Sequence, residues 1–481
     1  MLSESKAARW TALIIVSFTM MFAYFFTDVM SPLEPMLTAA KGADGVGLGW
    51  SADDYGFFSG SYGFFNVFLL MLFFGGIILD KFGIRLTGIM ATGLMFGGAL
   101  IKWYAVGNDF EGEMFGYPMQ VIIACLGFAI YGVGCEIAGI TVSKVIVKWF
   151  TGHELALAMG IQVALARIGT AAALSLSLPL ALGVHIPYFS SSSGIINKIY
   201  NIWIFLVNTA IDIKDFFGIS DGVHVPVCFG ASLLCAGLIS YLVYCVMDKK
   251  FDKEKASATS AEPEEGFRFA DLKLIFANKG FWLITLLCLM FYAGVFPFLK
   301  FATKLMVTKY GIDPEVAGLI PAMLPFGTIF LTPFFGSIYD RYGKGATLMV
   351  IGSIILTVVH CIFAIPGITA VAVAIAAMIL LGIAFGLVPS AMWPSVPKII
   401  PMQLLGTAYA VIFYIQNIGL SMVPILIGKV NQANTTNDVT DYTTSMAIFA
   451  VCGIISIVIA IMLKMEDKKK GYGLEQANIK K

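Results

Sequence analysis

Twelve apolar stretches alternate with polar ones along the chain, each about as long as a membrane-crossing helix. Six lie near 11–38, 54–79, 86–105, 119–147, 154–182 and 225–247; six more lie near 280–303, 316–338, 346–365, 369–396, 405–428 and 444–464. A helix needs about 20 apolar residues to cross a hydrocarbon core of about 30 Å. The pattern therefore predicts six spans, a polar break from Asp248 to Asn278, and six further spans. The break holds Glu262-Pro263-Glu264-Glu265 and reads as a solvated linker with a short surface helix over 267–276. Between the fifth and sixth spans, the insertion 183–226 has a semi-apolar centre, 195–217. That centre carries Asn197, Lys198, Asn201, Asn208, Asp212, Lys214 and Asp215, too many polar groups for lipid. It predicts an amphipathic helix lying on the surface. The expected architecture is an all-α membrane protein of two six-helix bundles, 1–247 and 279–465, with the linker 248–278 between them and a tail at 466–481.

Composition sharpens this picture. Of 481 residues 58% are hydrophobic and 13% charged, against about 25% charged in a soluble domain. A net charge of +1 argues against nucleic-acid binding as the main role. The eight cysteines show no CxxC spacing and the four histidines no cluster, so no metal and no cofactor is expected. No Walker loop is present, which excludes an ATP-driven pump from this chain. Basic residues cluster in the loops that share a side with the N-terminus, so both termini are read as cytoplasmic. Only Lys41, Lys102, Lys198, Lys214, Lys304, Lys309 and Lys429 fall on the other side, with Arg167 and Lys300 inside spans.

Two loops repeat. Gly76-Ile77-Ile78-Leu79-Asp80-Lys81-Phe82-Gly83-Ile84-Arg85 follows the second span, and Gly336-Ser337-Ile338-Tyr339-Asp340-Arg341-Tyr342-Gly343-Lys344 follows the eighth. A weaker repeat pairs Ala166-Arg167-Ile168-Gly169 with Gln416-Asn417-Ile418-Gly419. Such parallel repeats organise one large transporter class. The doubled loop resembles the signature of the major facilitator superfamily, and the resemblance covers essentially the whole chain. It implies a secondary transporter with Asp80, Arg85, Asp340 and Arg341 at its gates. A narrower resemblance rests on Gly134-Cys135-Glu136, Lys148-Trp149-Phe150-Thr151-Gly152-His153-Glu154-Leu155, Gln162 and Ala166-Arg167-Ile168-Gly169. Trp393-Pro394, Leu405-Gly406-Thr407-Ala408-Tyr409 and Ile415–Gly419 extend it into the second half. These residues resemble the lysosomal dipeptide transporter branch of that superfamily. The resemblance implies a uniporter of dipeptides working by alternating access, with Glu136 and Arg167 in contact with substrate; the chain is expected to act as a monomer. The N-terminal tail shows no dileucine sorting signal, and Asn434 is the one outward N-x-T site. A bacterial inner membrane therefore fits better than a lysosomal address.

Ionisable side chains inside spans are functional candidates by default, because burying them unpaired costs several kcal/mol. Glu136 precedes Trp149 by the same 13 residues by which Arg167 follows Glu154. At about 1.5 Å per residue both sit about 20 Å from the hairpin joining spans four and five. Two roles are open to them: a structural ion pair, or a pair of contacts for the two ends of a zwitterion. Asp28 and Lys300 occupy equivalent places in spans one and seven. They either meet across the interface as an outer gate or snorkel separately. Tyr131, Gln162, Trp393, Tyr409, Gln416 and Asn417 are candidate cavity liners, as are Tyr24, Tyr62, Tyr292 and Tyr414. The competing functions are a proton-coupled symporter of an organic anion or sugar, and a non-transporting membrane receptor.

Overall fold

The structure, a computed structural model, describes residues 5–42, 46–150, 154–188, 195–256, 269–401, 404–436 and 439–477. Residues Thr151, Gly152 and His153 of the fourth-to-fifth hairpin, and the linker acids 262–265, lie outside them. Among the described residues, eleven helical segments are long and apolar enough to cross a membrane. The first begins with α1 (Lys6–Asp28), capped by Ser5, and continues through a 3-10 turn (Ser31–Leu33) into α2 (Glu34–Thr38).

The second apolar stretch is not one helix. It is assembled from α3 (Ala52–Ser61), α4 (Phe64–Phe68) and the first leg of α5 (Met71–Gly107). A Cβ on Gly63 would lie 1.9 Å from Ser421 Oγ, so the chain turns where another helix presses on it. Leu70, at φ +53°, makes the second break. Hydropathy does not report the break at Leu70, because apolar residues continue through it, whereas Ser59-Gly60-Ser61-Tyr62-Gly63 interrupts the run at the first break.

The rest follows in order: α6 (Met119–Phe150), α7 (Leu155–Leu182), α8 (Ile195–Phe216), α9 (His224–Ala256), α10 (Phe269–Phe276) and α11 (Lys279–Tyr310). Then come α12 (Pro314–Ala317), α13 (Leu319–Tyr342), α14 (Gly345–Ala364), α15 (Val371–Ile399), α16 (Leu405–Ala433) and α17 (Thr443–Lys470). Helix α9 runs nine residues past the expected end of the sixth span. Its extension is held because buried Asp248 accepts from Lys148 (2.8 Å), Arg85 (3.2 Å), Trp149 (3.3 Å) and Tyr244 (3.1 Å).

Helices α1, α5, α6, α7 and α9 pack on one another, as do α11 and α13 to α17. The two groups meet mainly through α3 against α16 and α7 against α13. The start of α1 lies against the end of α6, Trp10 on Phe150 at 5.7 Å. The chain's last described turn meets the start of α11 and the end of α15, through Tyr472 to Asn278 (3.2 Å) and Lys398 to Gly473 (3.0 Å). Both ends of the chain thus share one face, called here the terminal face.

On the opposite face, α8 buries Trp203, Ile204, Val207 and Ile211. Trp203 stacks on Phe25 of α1 at 5.1 Å, and Asn208 grips both polar groups of Ile186 at 2.9 Å. One cation counted with the outer loops is buried. Lys102, assigned to the outer side by the charge count, is 1% exposed. Its ammonium sits over Phe26 (3.9 Å) and Phe128 (4.4 Å), a cation–π cage that substitutes for water.

The doubled loop has a backbone cause. Gly83 at φ +75° separates the two legs of α5, and Gly343 at φ +71° ends α13. Both combine this φ with an extended ψ, 174° and −135°, where an L side chain costs about 1–3 kcal/mol. A Cβ at Gly83 would meet nothing within 4 Å, whereas one at Gly343 would lie 2.4 Å from the Glu475 carbonyl oxygen. Gly83→Ala should therefore cost about 1–3 kcal/mol, and Gly343→Ala distinctly more. Thermal unfolding in detergent micelles checks the order: equal midpoints for the two variants would contradict the steric account.

Candidate functional site

A cavity of about 880 Å³ lies between the two groups of helices. Met159 and Gly160 near the start of α7, and Gly336, Ser337, Asp340 and Arg341 near the end of α13, line its mouth. These are the ends of α7 and α13 that belong to the terminal face, so the cavity opens there.

The opposite face is shut by hydrogen bonds and close backbone approaches between the two groups of helices. Lys300 of α11 donates to Asp28 of α1 at 2.7 Å and to the Thr27 carbonyl at 2.9 Å. Tyr55 of α3 donates to the Lys300 carbonyl at 2.7 Å. Between α3 and α16, Gly56 faces Gly428 so closely that a Cβ on Gly56 would sit 2.6 Å from Gly428 Cα. Beside α7, a Cβ on Gly318 would sit 2.0 Å from the Leu174 carbonyl. The arrangement faces the terminal side.

Both mid-span charges line this cavity. Glu136 Oε1 accepts from Tyr62 of α3 at 2.9 Å. Arg167 reaches across to the other group of helices: its guanidinium carbon lies 5.0 Å from the Phe385 ring, 5.6 Å from Phe296 and 6.0 Å from Tyr24. Among the described residues no ion pair joins Glu136 to Arg167. An aromatic face satisfies one side of a guanidinium by cation–π attraction and leaves its N–H edge available.

Trp393 and Gln416 also line the cavity. The indole donates to Tyr292 at 3.0 Å, and Gln416 Oε1 accepts a weak bond from Cys288 at 3.4 Å. Tyr409 lies behind Trp393, rings 5.9 Å apart, with its hydroxyl on the Trp393 carbonyl at 3.2 Å. Tyr131 is wholly buried, bonded to Thr27 (2.9 Å) and to the Ala23 carbonyl, and ties α6 to α1. Asn417 is buried and donates to Phe413 within its own helix at 3.0 Å. Gln162 is half-buried on α7, and neither it, Tyr131, Tyr409 nor Asn417 is among the cavity-lining residues.

Of the loop residues, Arg85 is engaged inside the first group of helices, with Asp248 (3.2 Å) and Asp252 (2.9 Å). Asp340 and Arg341 reach the cavity mouth. Asp80 is placed only as a residue of α5. Phe296 and Phe385, which flank Arg167, were missed from the sequence. Aromatic residues abound in spans, and only the register between the two groups of helices singles these out.

The comparisons agree with this architecture. A Major Facilitator Superfamily model matches residues 13–424. The lysosomal dipeptide transporter MFSD1 of Danio rerio is 26% identical over 418 residues, covering 84% of this chain and 77% of that protein. That of Homo sapiens is 26% identical over 411 residues, with 84% and 77% covered. Among solved structures, a bacterial homologue of the human lysosomal transporter Spinster, inward-facing and occupied, superposes with a TM-score of 0.67 at 14% identity. It covers 97% of this chain and 98% of its own. The nucleoside transporter NupG superposes with a TM-score of 0.62 at 14% identity, covering 95% and 98%. With a matching family model over most of its length, two groups of spanning helices and a cavity between them, the chain is a multi-pass membrane transporter that belongs to the Major Facilitator Superfamily.

Proposed function

We propose that the protein carries small zwitterions, dipeptides foremost, across a bacterial inner membrane as a monomeric uniporter with both termini in the cytoplasm. One observation carries this reading. Glu136 and Arg167 line one cavity, opposite in charge, and no ion pair joins them among the described residues. Each is expensive to keep in a span, and a ligand with an ammonium at one end and a carboxylate at the other compensates both. The charged ends of an extended dipeptide lie about 5–7 Å apart, two residues of chain. Arg167 suits the carboxylate because its planar fork can form two parallel hydrogen bonds. Glu136 takes the ammonium, with Tyr62 holding one carboxylate oxygen in place. The resemblance of the chain to dipeptide transporters points to the same substrate class. The functional unit would then be two bundles, 1–247 and 279–465, rocking about the bound solute.

In this scheme the cavity, open to the terminal face, is the inward-facing state. The Asp28–Lys300 contact is the latch that holds the outer side shut, and Asp340 and Arg341 guard the inner mouth.

Two tests follow from this reading. Glu136→Gln and Arg167→Ala should each lower dipeptide affinity at least tenfold, since a charge-assisted hydrogen bond contributes about 1.5–3 kcal/mol. Both variants should still insert and unfold as the wild type does. Uptake of a labelled dipeptide into proteoliposomes reads this, and unchanged uptake by either variant would refute the assignment.

The latch is tested separately. Removing one member of a mostly buried pair costs about 3–5 kcal/mol in the closed state, enough to shift a two-state equilibrium a hundredfold or more. Asp28→Asn and Lys300→Gln should each speed the labelling of a cysteine at Ser31 by an impermeant maleimide. The double variant should add little to either single one. Additive effects would mean that the two charges act independently.

A further inference from the structure

The closed outer side contains a second acid, which the scheme above does not use. Glu34 opens α2, directly after the 3-10 turn and in the last part of the first span. It is 0% exposed, and neither carboxylate oxygen has a hydrogen-bond partner. Three chain segments enclose it. From α11 comes Lys304, whose ammonium is directed to Thr38 Oγ1 at 2.7 Å rather than to the carboxylate. From α3 comes Tyr55, committed to the Lys300 carbonyl. From the turn before α17 comes Tyr442, whose buried hydroxyl makes no hydrogen bond to the carboxylate. Asp28 and Lys300 are bonded to each other close by. Asp54, beside Tyr55, is occupied by the backbone of Ser51 at 2.7 Å, and exposed Asp441 by Thr443 at 2.6 Å.

An ionised carboxylate in such a place lacks both water and donors, and the cost drives such a group to its neutral form. Lys304 offsets only part of that cost, because its hydrogen bond goes to Thr38. Parting α1 and α2 from α11 would expose the same carboxyl to water, where it is ionised at neutral pH. We infer that Glu34 is a proton-binding site of the outer gate: protonated when the gate is shut, ionised when it is open.

The sign follows from linkage. The closed state binds one more proton than the open state, so acid outside favours closure and alkali favours opening, by at most tenfold per pH unit. Glu34 is not among the residues lining the cavity. Its proton therefore enters and leaves on the outer side. It sets the gate without being carried across, which makes transport pH-regulated while remaining uniport.

The test needs no transported solute, so its outcome is separate from that of the substrate assignment. Hydrogen–deuterium exchange is followed in nanodiscs at pH 5.5 and 8.5 for the backbone of 29–38 and 300–310, corrected for intrinsic exchange. In the wild type, protection should fall at least fivefold at pH 8.5. Glu34→Gln should stay protected at both values. Lys304→Met removes the nearest cation and should move the transition to higher pH, which keeps the inference testable if Glu34→Gln does not fold. A pH-independent wild type, pH dependence that survives in Glu34→Gln, or an unmoved transition in Lys304→Met would overturn the proposal. So would a return of full protection at pH 8.5 when sodium chloride replaces choline chloride, which would make the site one for a metal cation.

Discussion

An ion cannot be left bare in hydrocarbon, and most of what this molecule does with charge follows from that constraint. Several charges embedded among the described spans meet it in different ways. Asp28 and Lys300 neutralise each other across the closed side at 2.7 Å. Lys102 trades water for the faces of Phe26 and Phe128. Asp248, at the terminal face, gathers donors from Arg85, Lys148, Trp149 and Tyr244. Arg167 rests on Phe385 and Phe296, and Glu136 on the Tyr62 hydroxyl, and both remain turned to the cavity. The last two are only half compensated. Under the proposal above, substrate supplies the other half.

The same constraint links binding to movement. Charges that pair across the interface can do so only while that side is shut, so each latch stabilises one conformation at the expense of the other. Backbone contacts add the geometry. Gly56 against Gly428, and Gly318 against the Leu174 carbonyl, let the helices close to distances that no Cβ permits. The closed side is therefore a combination of electrostatic pairing and steric fit, while the side holding both chain ends gapes around the cavity.

Much of the architecture was legible in the chain because hydrophobic length is a coarse and robust signal. The doubled loop was legible for a local reason: Gly83 and Gly343 both have a positive φ at which other residues are strained. The meeting of Asp28 and Lys300 could be reached by counting residues along two equivalent spans. What could not be read depended on contacts between distant segments. Hydrophobic length alone does not place the break at Gly63, where Ser421 of another helix leaves no room for a Cβ. The cage of Lys102 needs Phe26 and Phe128 brought in from two other helices, so counting charges by side could not show that this lysine is buried. Tyr131 carries the right chemistry for a cavity, yet its hydroxyl is spent on Thr27 and Ala23. Residue type says what a side chain can do; the neighbours decide whether it is free to do it.

The central claim is that one solute satisfies Glu136 and Arg167 together. The most direct measurement is calorimetric binding of one neutral dipeptide to the wild-type protein, set beside its N-acetylated and its C-amidated forms. The account predicts that either blocked form binds at least tenfold more weakly than the free dipeptide, because each removes one charge-assisted contact worth about 1.5–3 kcal/mol. Equal affinities for the free and the blocked forms would contradict it.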